Sequence, residues 1–190
     1  MTLADKVTSV RLVLAPAFFA IYLYSGASWT VPVLWALFVG SEITDLLDGM
    51  IARKRGEVTS FGKFYDPFAD TLTQIAYFFC FVLDGILPSL LFLVVLYREF
   101  SILFVRNLML RKGIAQGARM SGKIKTVMYI LAGGLALLAS SIFRLGLDNE
   151  LYRGLVIAAQ AVFIVSVVIA VISFFDYLLA YIKTPAGDGK

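Results

Sequence analysis

The chain has no histidine, a single cysteine and little charge for its length. Without histidine, neither imidazole acid–base catalysis nor a His-ligated metal is available. One cysteine, Cys80, excludes an intrachain disulfide, and its place in an apolar run argues for packing rather than metal binding. Charged residues make up 16% and apolar types 60%, against about 25% and 45–50% in soluble domains. That balance excludes an ordinary soluble domain and places the chain in a bilayer. Any catalysis must run on carboxylates.

A spanning helix needs about 20 mainly apolar residues, so 190 residues leave no room for a second domain. A single membrane-embedded domain over 1–190 is expected. The opening MTLADKVTSVRL carries an acid and lacks a small-residue cleavage site, so no removable signal peptide is expected. Apolar runs between polar breaks predict spans at 8–28, 31–54, 64–84, 86–110, 122–144 and 154–182. The fold expected is an all-α polytopic membrane protein, six transmembrane helices with short loops and antiparallel neighbours. Of the 17 Lys and Arg, all but Arg144 and Arg153 fall on the side holding both termini. By the positive-inside rule that side is cytoplasmic, in an inner membrane, and the net charge of +4 suits an anionic lipid surface. No internal repeat is present, and low complexity is confined to the tail 184–190.

Against this apolar background the acids cluster. A carboxylate inside a span costs at least about 2.5 kcal/mol, so such groups face a cavity, a partner or a metal. Asp45 and Asp48 stand at i, i+3 near the end of the second span, and Asp66 and Asp70 at i, i+4 near the start of the third. Each pair shares a helical face, and the connection at 55–63 folds the two helices back so that all four can converge. Four carboxylates so placed repel one another unless cations lie between them. Oxygen-only donors favour Mg²⁺, Mn²⁺ or Ca²⁺ over zinc. The bland alternative is a set of ion pairs with Arg53, Lys54 and Lys63. Gly49, Ala52 and Gly62 keep the acidic face narrow enough for a bulky ligand to approach the backbone, and Arg53 offers a fork of donors to a phosphate or base edge.

These residues, Asp45-x-x-Asp48-Gly49-x-x-Ala52-Arg53, eight residues, then Gly62-x-x-x-Asp66-x-x-x-Asp70, resemble the signature of the CDP-alcohol phosphotransferase family, with every fixed position filled. Outside 45–70, Val7-Thr8-Ser9-Val10-Arg11 with Pro16, Arg98-Glu99-Phe100 with Arg106, and Gly122-Lys123-Ile124-Lys125-Thr126 resemble its phosphatidylglycerophosphate synthase branch. One departure is Asp5, where that branch commonly has Asn. The resemblance implies that Asp45, Asp48 and Asp66 hold two metal ions, Mg²⁺ or Mn²⁺, on the diphosphate of CDP-diacylglycerol. Asp70 completes the second ion and acts as catalytic base, while Gly49, Ala52, Arg53 and Gly62 line the cytidine and ribose pocket. It also implies a homodimer.

The reaction so implied is attack by an alcohol oxygen on the phosphorus carrying diacylglycerol, with CMP leaving. If the acceptor is glycerol 3-phosphate, its phosphate needs cations nearby. Arg98, Arg106, Arg119, Lys123 and Lys125 lie on the correct side, with Thr8 and Arg11 as further candidates for that pocket. Their structural alternatives are a pair of Arg98 with Glu99 or Asp84, and snorkelling to the interface. Inositol phosphate, serine and choline are competing acceptors. A membrane prenyltransferase, releasing diphosphate, and a divalent-cation transporter are remoter readings, and no nucleic-acid partner is expected. Of the remaining residues, Asp176 faces a cavity or water, and Asp148 and Glu150 are read as loop solvation. Gly133-Gly134 are read as a close helix contact, and Tyr24, Trp29 and Trp35 as an aromatic belt.

Overall fold

The structure, a computed structural model, describes residues 3–24, 26–55, 60–111 and 120–183, with side chains outside the described set at 3–6, 46, 48–55, 60–61, 63, 110–111 and 120–121. Among the described residues there are six helices and no strand: α1 (Leu3–Tyr24), α2 (Thr30–Arg55), α3 (Ser60–Leu83), α4 (Ser89–Arg111), α5 (Met120–Arg144) and α6 (Asn149–Lys183). Stretches within three of them, Val7–Tyr24, Gly122–Arg144 and Asn149–Lys183, are long and apolar enough to cross a membrane. The other three are of similar length. What dilutes their hydropathy is the set of charged residues that the site below is built from.

The boundaries have local causes. Helices α3 and α5 end in Schellman turns with glycine in the left-handed region, Gly85 at φ 69° and Gly146 at φ 64°. The Gly85 and Ile86 amides return to Val82 and Phe81, and those of Gly146 and Leu147 to Phe143 and Ile142. Helix α6 starts five residues before the expected 154, because Asp148 caps it: its Oδ1 accepts the Glu150 amide at 2.7 Å and the Leu151 amide at 3.4 Å. Asp148 is therefore a cap rather than loop solvation, while Glu150 pairs with Arg153 on the surface.

Helix α1 packs against α2 and α3, α5 runs along α6, and α4 contacts α6 and α3. The middle of the bundle is filled by rings. Phe18 meets Tyr77 edge-on at 4.5 Å between centroids, and Phe78 meets Phe163 at 5.0 Å and Tyr129 at 5.2 Å. Cys80 is fully buried in this cluster. A Cβ on Gly133 would stand 3.3 Å from the Phe38 ring, whereas one on Gly134 would meet nothing within 4 Å. Only the first glycine serves a close contact. At the end away from the acids, Arg144 lies 4.4 Å from the Tyr22 ring centroid and bonds to the Tyr22 carbonyl, Thr30 and Ser140. Tyr22 donates to Asp84 at 2.6 Å. Tyr24 and Trp29 are exposed there, as a belt requires. Trp35 instead turns inward, its indole N–H donating to Ser141 at 3.0 Å.

Candidate functional site

The site forms at the end of the bundle that holds the start of α1, α3 and α5 and the finish of α2, α4 and α6. Helix α1, lying on both α2 and α3, presents Thr8 and Arg11 to the acids of those helices. The two residues are at i, i+3 on one face and almost wholly buried. Arg11 Nη1 contacts Asp45 Oδ1 at 2.9 Å, and the same nitrogen pairs with Asp70 Oδ1. Two carboxylates from different helices thus meet at one atom, close enough to share a cation. Thr8 Oγ1 donates to Asp66 Oδ1 at 3.0 Å, and the hydroxyls of Ser9 and Tyr65 are bonded at 2.9 Å. Thr8 and Arg11, expected at the acceptor pocket, stand among the aspartates.

A small cavity of about 20 Å³ adjoins this junction, walled by Arg11, Asp45 and Asp70 together with Ser41, Glu42, Thr73 and Gln74. Asp70 also opens onto a second, larger cavity of about 210 Å³ enclosed by α3, α4, α5 and α6. Arg98, Glu99 and Arg106 enter it from α4, Lys123, Lys125 and Thr126 from α5, and Tyr177 from α6. Arg98 donates through Nε to the Ala170 carbonyl at 2.9 Å and through Nη1 to Glu99 Oε1 at 2.8 Å. Lys125 Nζ reaches the same Oε1 at 3.0 Å and lies 4.4 Å from the Tyr129 ring centroid. Arg106 donates to the Tyr177 hydroxyl at 3.1 Å, its guanidinium 5.2 Å from that ring centroid.

Four of the five cations expected around the acceptor therefore line one cavity, and an aspartate of the motif forms its wall. Arg98 pairs with Glu99, the first of its two structural alternatives; Asp84 belongs to Tyr22 at the other end. Gly62 is buried one turn before Asp66. Gly49 follows Asp48 in the last turns of α2, where the side chains of Asp48, Ala52, Arg53 and Lys54 lie outside the described residues, as do Arg119 and the Lys63 side chain. Among the described residues no three acid, Cys or His side chains gather as a metal cluster. The pair that does meet, Asp45 with Asp70, supplies hard oxygen donors already sharing one cationic group, the donor chemistry suited to a hard divalent ion.

Sequence reasoning missed Glu42, Gln74 and Tyr177, and named Thr126 only as part of a motif. Glu42 precedes Asp45 by three residues and Gln74 follows Asp70 by four, so helical spacing puts each on the face of its aspartate. Tyr177 reaches Arg106 across 71 residues with no local signal.

Residues 1–172 match the family model described as CDP-alcohol phosphatidyltransferase. A CDP-diacylglycerol–glycerol-3-phosphate 3-phosphatidyltransferase of Treponema pallidum (strain Nichols) is 37% identical over 195 residues, 95% of this chain and 89% of that protein. A probable phosphatidylglycerophosphate synthase of Mycobacterium tuberculosis (strain ATCC 25618 / H37Rv) is 34% identical over 187 residues, covering 97% of this chain and 84% of its own. The Bacillus subtilis (strain 168) protein bearing the same name as the Treponema one is 35% identical over 155 residues, 75% of this chain and 80% of that one.

Proposed function

The chain belongs to the CDP-alcohol phosphatidyltransferase family, and from that premise we propose that it transfers the phosphatidyl group of CDP-diacylglycerol to glycerol 3-phosphate, releasing CMP. The observation that carries the choice of acceptor is the larger cavity: Arg98, Arg106, Lys123 and Lys125 line it together with Asp70 and Glu99, an excess of two positive charges. A phosphate monoester near neutral pH carries close to two negative charges. An uncharged acceptor leaves that excess without a partner.

The family is generally dependent on divalent cations. Asp45, Asp48, Asp66 and Asp70 would hold two divalent ions, Mg²⁺ or Mn²⁺, which would neutralise charge on the diphosphate oxygens. The protein's own groups do the rest. Asp70, on the wall between the two cavities, accepts the proton of the attacking hydroxyl. The four cavity cations fix the acceptor's phosphate, leaving its hydroxyl end toward Asp70, and Thr8 orients Asp66. Gly49, Ala52, Arg53 and Gly62 accommodate the cytidine end. All six helices span the membrane, with the site at the cytoplasmic surface; in support, among the described residues every Lys and Arg except Arg144 and Arg153 belongs to the end that carries the acids. The functional unit is a homodimer.

Purified protein incubated with CDP-diacylglycerol, Mn²⁺ or Mg²⁺ and separate alcohols tests this directly. Phosphatidylglycerophosphate, identified by mass, is expected from glycerol 3-phosphate. A lipid product formed only with inositol, inositol phosphate, serine or choline refutes the acceptor assignment, and release of diphosphate in place of CMP refutes the chemistry.

A further inference from the structure

We propose that Glu99 is a positioning residue that sets the spacing and net charge of the acceptor pocket, and so selects a phosphorylated alcohol. This rests on the reading of the acceptor as a phosphate monoester.

Arg98 and Lys125 come from different helices, and both donate to one oxygen, Glu99 Oε1, at 2.8 and 3.0 Å. All three side chains are more than nine-tenths buried. Two cations held that close repel, most of all away from water, so the carboxylate between them is what keeps them at one wall. Arg98 is fixed a second time, its Nε on the Ala170 carbonyl of α6. Glu99 thus ties α4, α5 and, through Arg98, α6 around the cavity. It also cancels one of four positive charges and Asp70 a second. Without Glu99 the excess would be three, and Arg98 and Lys125 would be free to part.

Glutamine separates charge from geometry at this position, because its carbonyl oxygen can still accept both bonds while the negative charge is gone. Glu99→Gln and Glu99→Asp are compared with the wild type for kcat, for KM of each substrate, for competitive inhibition by inorganic phosphate, and for melting temperature. Glu99→Gln is expected to raise the KM for glycerol 3-phosphate and the inhibition constant of phosphate together, several-fold or more, because a neutral amide no longer offsets the repulsion between Arg98 and Lys125 and the two cations part. The KM for CDP-diacylglycerol should hold, and Glu99→Asp should recover part of the loss. A purely structural Glu99 would instead lower the melting temperature and weaken both substrates equally, which overturns the proposal; so does phosphate inhibition identical in all three proteins. Phosphate inhibition that weakens in Glu99→Gln while the wild type uses only an uncharged alcohol upholds Glu99 as the residue that positions an anion site, and refutes both the choice of acceptor and the selection of a phosphorylated alcohol. A wild type insensitive to phosphate refutes both.

Discussion

Thr8→Val removes one hydroxyl from a fully buried position of α1 while keeping the branched shape of the side chain. What is lost is the bond from Thr8 Oγ1 to Asp66 Oδ1, 3.0 Å long and joining residues 58 apart. A hydrogen bond to a charged acceptor contributes about 1.5–3 kcal/mol. Tenfold in an equilibrium constant corresponds to about 1.4 kcal/mol, so the expected effect is roughly 10–100-fold. It should fall on cation binding, because Asp66 is a proposed ligand and Thr8 does not wall the cationic cavity. The concentration of Mn²⁺ giving half-maximal turnover should therefore rise by that factor, and the Mn²⁺-induced rise in melting temperature should shrink. The KM for glycerol 3-phosphate measured at saturating Mn²⁺ should stay put. Thr8→Ser, which restores the hydroxyl, should return most of the affinity. A Thr8→Val enzyme with the wild-type Mn²⁺ requirement would show that Asp66 needs no support from α1.

Asp70→Asn should abolish turnover while leaving CDP-diacylglycerol binding measurable by equilibrium methods; near-normal turnover removes Asp70 from the base role. Arg106→Ala should raise the KM for glycerol 3-phosphate about tenfold to a hundredfold, from the about 1.5–3 kcal/mol of a charged hydrogen bond. The KM for CDP-diacylglycerol should change little, and equal effects on both substrates would argue against the pocket. Gly133→Leu should lower the melting temperature because its first side-chain carbon already meets Phe38. Gly134→Ala should be neutral or stabilising by up to about 1 kcal/mol, since alanine is the better helix former; the reverse ranking would refute the packing described.

All six helices were legible in the sequence to within five residues at each end, because apolar runs broken by Gly, Pro and charge mark them without reference to packing. Of the four aspartates expected to converge, Asp45 and Asp70 meet at Arg11, as two short spacings and one short connection allow, while the Asp48 side chain lies outside the described residues. The grouping of Arg98, Arg106, Lys123 and Lys125 was legible too, since all sit at one end of neighbouring helices. Arg11 was not. A lone arginine near the start of an apolar helix reads equally well as a topology signal or a phosphate ligand. Its place between two aspartates depends on α1 settling on α2 and α3 together, which no periodicity encodes. Trp35 misled for a similar reason: an aromatic near a helix end reads as an interfacial anchor until a hydroxyl such as Ser141 turns it inward. Asp148 did carry a signal, an aspartate just before a long apolar run.

The edge-on and tilted rings of Phe18, Phe38, Tyr77, Phe78 and Phe163 stand between the charged mouth of the bundle and the Arg144 knot at its other end. An enzyme that handles protons and divalent ions inside an energised membrane risks short-circuiting the gradient on which its host depends. In the topology proposed above, the charged pocket opens at one surface and apolar rings lie beneath it, so the chemistry would proceed at that surface without a polar path to the opposite one.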